Sequence, residues 1–141
     1  MIGLTQLRYL ALLWSGMLIL PCLVGCGSNS GPERYHVSGT VTYKGEPVPF
    51  GQVLFEPDKA KNNSGPATVA TITDGSFTTK TGRGKGAVSG PSIVRITGFD
   101  GNPPPGGGTQ PNGAPLFKQF TQKVELPEEP STHDFEIPTE K

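Results

Sequence analysis

Glycine and proline punctuate this chain so densely, at twenty and fifteen of its 141 residues, that long helices are excluded from most of it. Glycine costs conformational entropy inside a helix and proline removes a backbone donor there. A β-sandwich or a partly disordered polymer remains, and alternation decides between them. Tyr35, Val37, Val41 and Tyr43 are apolar while His36, Ser38, Thr40 and Thr42 are polar, the period of two expected of a half-buried strand. Six more such stretches follow, at 50–56, 67–73, 76–81, 92–99, 121–126 and 132–137. The chain is therefore expected to form one all-β, seven-stranded domain. Lys44-Gly45-Glu46-Pro47 supplies a turn and Pro57 ends the second strand, with polar loops at 58–66 and 82–90. Asp74-Gly75 is the strongest hairpin signal, because both residues tolerate positive φ.

The expected inward side chains are Val37, Val41, Val53, Phe55, Val69, Phe77, Val94, Ile96, Val124, Leu126, Phe135 and Ile137. At about 1.5 to 3 kcal/mol each they make a thin core sufficient for so small a domain.

The first residues read differently. Arg8 precedes the twelve-residue apolar run Tyr9–Leu20, short of the roughly 20 residues a spanning helix needs but suited to the helical centre of a secretory signal peptide. Pro21 breaks that helix, and Leu23-Val24-Gly25-Cys26 follows. These four residues resemble the lipobox of bacterial lipoproteins. The resemblance implies cleavage between Gly25 and Cys26, a diacylglyceryl group on the Cys26 thiol, and an acyl chain such as palmitate on the new amino group. Two or more chains give stable anchoring where one binds marginally. The expected organisation is a signal peptide at 1–25, a flexible tether at 26–34 and a β domain at 35–138. An ordinary signal peptide or an uncleaved anchor with a coincidental cysteine is the alternative reading.

Cys22 follows Pro21 instead of a small residue and leaves with the leader, so Cys26 is the last cysteine and it is blocked. No disulfide and no thiol nucleophile are expected. Eleven basic side chains then face twelve acidic ones, a balance that argues against nucleic acid as a partner. Gly27 after the lipidated cysteine is compatible with sorting to the outer membrane in preference to the inner one.

With the strands in place, Val37-Ser38-Gly39-Thr40-Val41-Thr42-Tyr43-Lys44-Gly45-Glu46-Pro47-Val48, Gly51-Gln52-Val53-Leu54-Phe55-Glu56-Pro57 and Thr73-Asp74-Gly75-Ser76-Phe77 resemble the carboxypeptidase regulatory-like domains of bacterial lipoproteins. The resemblance spans residues 35–137 and implies a transthyretin-like (prealbumin-like) Greek-key sandwich of about seven strands. It reports a fold and no chemistry. The hydroxyisourate hydrolases of that fold end in Tyr-Arg-Gly-Ser, whereas this chain ends Ile137-Pro138-Thr139-Glu140-Lys141, so that activity is not expected.

Candidate sites are few. His36 and His133 would need to meet in space, with Asp134 or Glu136, to hold a metal or exchange protons. Strand geometry turns both carboxylates away from His133, and both histidines are expected on the solvated surface. Ser38 shares a strand face with His36 but lacks an orienting third group or a Gly-x-Ser-x-Gly turn. Gly82-Arg83-Gly84-Lys85-Gly86-Ala87 imitates a phosphate loop, yet no helix follows and Thr79 stands where the first glycine belongs. Trp14 departs with the leader, and Phe50, Phe99, Phe117 and Phe120 are expected as core or loop anchors more than as glycan platforms. Lys44 and Asn62 have no recognisable spacing for an isopeptide crosslink, and the sequon Asn62-Asn63-Ser64 is read as an accident. Residues 100–114 hold five Gly, four Pro and no large apolar side chain, so they are expected to be mobile. The expectation is an envelope lipoprotein with no catalytic, metal or cofactor site. Its partners would be the membrane, through Cys26, and an unidentified envelope protein or glycan. The alternative is a surface module binding a small ligand, glycan or peptide at its loops.

Overall fold

The computed structural model describes residues 31–81, 85–106 and 110–139. The signal peptide, Gly25, Cys26 and residues 26–30 of the expected tether lie outside the described residues, as do Gly82, Arg83 and Gly84. The strands are β1 (Arg34–Tyr35), β2 (Val37–Tyr43), β3 (Glu46–Pro47), β4 (Phe50–Pro57), β5 (Thr68–Thr73), β6 (Ser76–Thr78), β7 (Ala87–Val88), β8 (Gly90–Phe99), β9 (Phe120–Leu126), β10 (Ser131–Thr132) and β11 (Phe135–Ile137). A 3-10 turn at Lys59–Lys61 interrupts them. The described residues are thus all β, and among them the seven expected strands become eleven segments. The first breaks at His36, and β1 leaves to pair with β7. The last breaks at His133-Asp134. Two-residue segments such as β3 and β7 are too short to show as alternation.

Hydrogen-bonded neighbours run β10-β2-β6-β5-β4-β8-β9, with β3 and β11 also against β2. Pairing is antiparallel throughout except that β10 and β11 run parallel to β2. One hydrophobic cluster contains Val37 and Val41 of β2, Phe135 and Ile137 of β11, Val53 and Phe55 of β4, Val94 and Ile96 of β8, and Leu126 of β9. Side chains from both ends of the strand order can share a cluster only because the sheet curls around them.

Two tight turns set the register. Lys44 and Gly45 (φ 55° and 79°) join β2 to β3, and Asp74 and Gly75 (φ 48° and 77°) join β5 to β6, the doubly positive backbone of a type I′ hairpin. Glu46 and Pro47, expected in the turn, already pair with β2. The second turn sets Ile72 opposite Phe77, and opposed residues share a face. Ile72 therefore enters the core with Phe77, and Val69, of opposite parity, points outward at 49% exposure. The expectation that Val69 lies inside is corrected by this register. Val124 is only partly buried against the cluster, while Val48, Ala70 and Ile72 join the core unforeseen.

The C-terminal strand crosses β2 closely. A Cβ at Gly39 would collide with the His133 carbonyl, so only glycine permits the approach. There the backbone ladder lapses and Asp134 replaces it: its Oδ1 accepts from the Thr40 amide at 2.9 Å and the Thr40 hydroxyl at 2.7 Å. Those bonds, the hydroxyl first and the amide second, hold the Asp134 pKa below the ordinary carboxylate value.

Beyond the C-terminal end of β4 the chain is closed by side chains bonding to backbone. Asp58, 3% exposed, caps the 3-10 turn by accepting from the Ala60 amide at 3.1 Å. Asn63 Nδ2 donates to the carbonyls of Ser89 and Pro91 at 2.9 and 2.8 Å. The buried Thr68 hydroxyl donates to Gly86 O at 2.8 Å.

Candidate functional site

At the other end of the sheet β4 begins and β8 finishes, with Phe50 directly opposite Phe99. Inner positions Gly51, Val53 and Phe55 alternate with outer Phe50, Gln52 and Leu54, and inner Val94, Ile96 and Gly98 with outer Arg95, Thr97 and Phe99. Phe50 and Phe99 are half-buried on the outer face and do not join the core cluster.

Asp100 follows at once and closes the long connection. Its amide donates to Ala114 O at 3.0 Å, and its Oδ1 accepts from the amides of Asn102 at 2.9 Å and Ala114 at 3.0 Å. The Gly101 amide donates to Asn112 O, the Gly113 amide to Gln110 O, and Phe99 bridges to Pro115. The segment expected to be mobile is thus zipped at its base, because one carboxylate satisfies amides from both limbs. The returning chain is pinned by Leu116, whose amide donates to Gly98 O at 2.9 Å. Phe117 packs over Gly98, its ring 5.2 Å from that of Tyr43 between centroids.

Two grooves adjoin this clasp. One, of about 310 Å³, is walled by Tyr43, Pro47, Val48, Pro49 and Leu116, with Asp100 at its rim. The other, of about 280 Å³, runs beside Phe99 between Pro111 and Pro115, with Gln110 and Asn112 along it.

The remaining candidates go elsewhere. His133 is half-buried, not solvated as expected, with its ring stacked on Phe135 at 6.4 Å. Its amide donates to Ser38 O at 2.9 Å, and His36 is exposed, with its carbonyl accepting from Ser131. Ser38 stands in mid-sheet, paired with Thr78 on one side and Thr132 on the other. Among the described residues no three of His, Cys, Asp and Glu group closely enough to hold a metal ion. Gly86 is buried and Ala87 pairs with Tyr35, so the second half of the glycine loop is built into a strand where a phosphate loop needs a helix N-terminus. Lys44, its ammonium 5.1 Å above the Tyr43 ring, sits at the end where β4 begins, and Asn62 caps the 3-10 turn at the other end. No isopeptide bond joins residues so placed. In the sequon, Asn62 is exposed and Asn63 serves the fold through its carbonyl bonds.

Of the four phenylalanines expected as anchors, Phe117 and Phe120 pack against the core. Phe50 and Phe99 lie half-buried on the outer face, outside the core cluster, with Phe99 bridged to Pro115 of the loop. In the sequence Asp100, Gln110 and Asn112 are marked only as members of a glycine- and proline-rich connection. The signal was an Asp-Gly pair directly after a strand with an Asn-Gly pair twelve residues later, two turn formers able to face each other. Compared with protein-family models, with curated proteins and with solved structures, the chain matches none.

Proposed function

We propose that this chain is a lipid-anchored protein of a bacterial envelope, held through Cys26 with its domain outside the cytoplasm, and that the domain is a non-catalytic binding scaffold. The observation that carries the binding reading is the Asp100 clasp, which makes a rigid base out of a glycine- and proline-rich connection and leaves a groove beside it on each hand. Pre-ordered loops on a stiff sheet bind with less entropy cost than free ones. His133 and Asp134, the residues closest to a catalytic grouping, are spent on Phe135 and Thr40.

A Greek-key sandwich of the carboxypeptidase regulatory-like, transthyretin-like kind is the finer reading of the fold. It is supported by the strand order, in which the links β3 to β4, β6 to β8 and β9 to β10 each pass between non-neighbouring strands. The anchor rests on the short apolar run and the Leu23-Val24-Gly25-Cys26 sequence. Among the described residues no helix is long and apolar enough to cross a membrane.

Two measurements test this. Cys26→Ala should move the protein out of the membrane fraction and abolish incorporation of labelled fatty acid. Unchanged fractionation would refute the anchor. A photo-crosslinking side chain at Gln110 should capture an envelope component in cells where one at Val69 does not. Equal capture at both positions, or none, would leave the loop end without a binding role.

A further inference from the structure

We propose that the outer face at the Asp100 end, formed by Phe50 and Phe99 with Gln52, Gln110 and Asn112 around them, binds a neutral glycan. This rests on the loop-end binding reading and names its ligand.

The aromatic carbon on that face is not part of the core. Phe55, Phe77 and Phe135 pack ring against ring inside, and Phe117 and Phe120 pack against the core from its margin. Phe50 and Phe99 stand apart from that cluster as a pair on adjacent strands. Strands about 4.8 Å apart set two rings side by side as a strip on which the C–H face of a sugar can lie.

Unspent hydrogen-bonding capacity surrounds the strip. Thr71, Gln52 and Thr97 form one row across β5, β4 and β8, about 7 Å along the strands from the aromatic row. Gln110 and Asn112 rise beside Phe99 from the loop. Among the described residues none of these five side chains makes a hydrogen bond to the protein, whereas Asp58, Asn63 and Thr68 at the opposite end all do. An amide offers two donors and a carbonyl acceptor, and a hydroxyl offers one donor and two acceptor lone pairs. Sugar hydroxyls, which both give and take hydrogen bonds, match that set.

Charge selects among glycans. No ionisable side chain is among the described residues lining the Phe99 groove. Asp100 Oδ1 is occupied by two amides, and on the same outer face Glu56 and Arg95 pair with each other at 3.3 Å. A uronate or a phosphate would be desolvated without a counter-charge. The groove, about 280 Å³, falls just below the roughly 300–1,000 Å³ of pockets that engulf small molecules. It suits one residue of a chain lying across an open sheet, with Pro111 and Pro115 as rigid walls.

The test uses the full chain in detergent micelles, screened against neutral glucan, mannan and N-acetylhexosamine oligomers, uronate- and phosphate-bearing glycans, and proline-rich peptides. A neutral oligomer should bind with an affinity indifferent to salt. Phe99→Ala should weaken it about tenfold, Gln52→Ala or Asn112→Ala about threefold, and Val69→Thr on the same face not at all. Melting curves accompany each variant, and if Phe99→Ala unfolds, the Gln52 and Asn112 variants carry the test. Failure of all neutral oligomers to bind, binding that both amide variants leave intact, or salt-sensitive binding of acidic glycans alone overturns the proposal. A peptide bound in place of glycan, or an envelope protein captured from Gln110, overturns the glycan while the loop-end reading stands. No ligand and no capture ends both.

Discussion

The two ends of β4 and β8 contain the same polar residue types put to opposite use. Where β4 ends, the buried Asp58 accepts from the Ala60 amide, while half-buried Asn63 and buried Thr68 donate to backbone carbonyls of neighbouring segments. Where β4 begins, Asp100 and Asn102 are spent this way, while Gln52 and Gln110 are exposed and Asn112 half-buried beside two aromatic rings, their side chains unbonded to the described protein. Polar groups already bonded to the protein serve the fold, whereas unbonded ones within reach of solvent keep their capacity for a ligand. The contrast marks one end as a structural plug and the other as a candidate binding surface.

Both ends hang on one core, and the largest effect should come from its centre. Val53 is fully buried midway along β4, so Val53→Asp buries an unpaired carboxylate and should exceed the total stability of about 5–10 kcal/mol. Amide exchange should show protection vanishing at both ends together; survival of one end alone would mean that the ends are separate cooperative units. Next comes the sharpest form of the comparison, made with one residue type. Asn63→Ala removes two hydrogen bonds, taking the side-chain donor from Ser89 O while Pro91 O keeps the Asp58 amide. It should cost about 1–2 kcal/mol in urea unfolding, whereas Asn112→Ala should stay within about 0.5 kcal/mol. Equal costs would erase the distinction.

Asp100→Ala should cost about 1 kcal/mol globally but act mainly on its own loop, speeding exchange of the Asn102 and Ala114 amides while Asn63's surroundings stay protected. The smallest effect is expected in mid-sheet. Asp134 has a lowered folded-state pKa, so its contribution is complete above the unfolded carboxylate pKa and is lost as pH falls through the lowered value. Asp134→Asn should flatten the acid limb of the stability curve slightly, because the group is exposed; an unchanged acid limb would show that the Thr40 clasp is broken in solution.

Much of this was legible residue by residue. Period-two alternation located β2, β4, β5, β8 and β9, and Asp74-Gly75 announced its hairpin. Val69 was misassigned although the information was present: a two-residue turn places Ile72 opposite Phe77, and following that parity back along β5 turns Val69 outward. The break at His133-Asp134 was not legible, because it depends on how closely a strand nearly a hundred residues away in sequence passes Gly39. Phe50 and Phe99 already stood apart by parity, opposite to the inward Val53 and Val94 on their strands; what could not be read was that Phe117, outside any strand, packs against the core.

By itself the sequence determined the all-β class, the turns and the inner faces of the longer strands, because these depend on backbone geometry and on neighbours within a few residues. Tertiary structure alone decided that β10 and β11 run parallel to β2, that Asp100 ties its loop shut, and that Phe117 and Phe120 pack against the core. Those outcomes rest on contacts between distant segments, and no local periodicity encodes which distant partner a side chain will find.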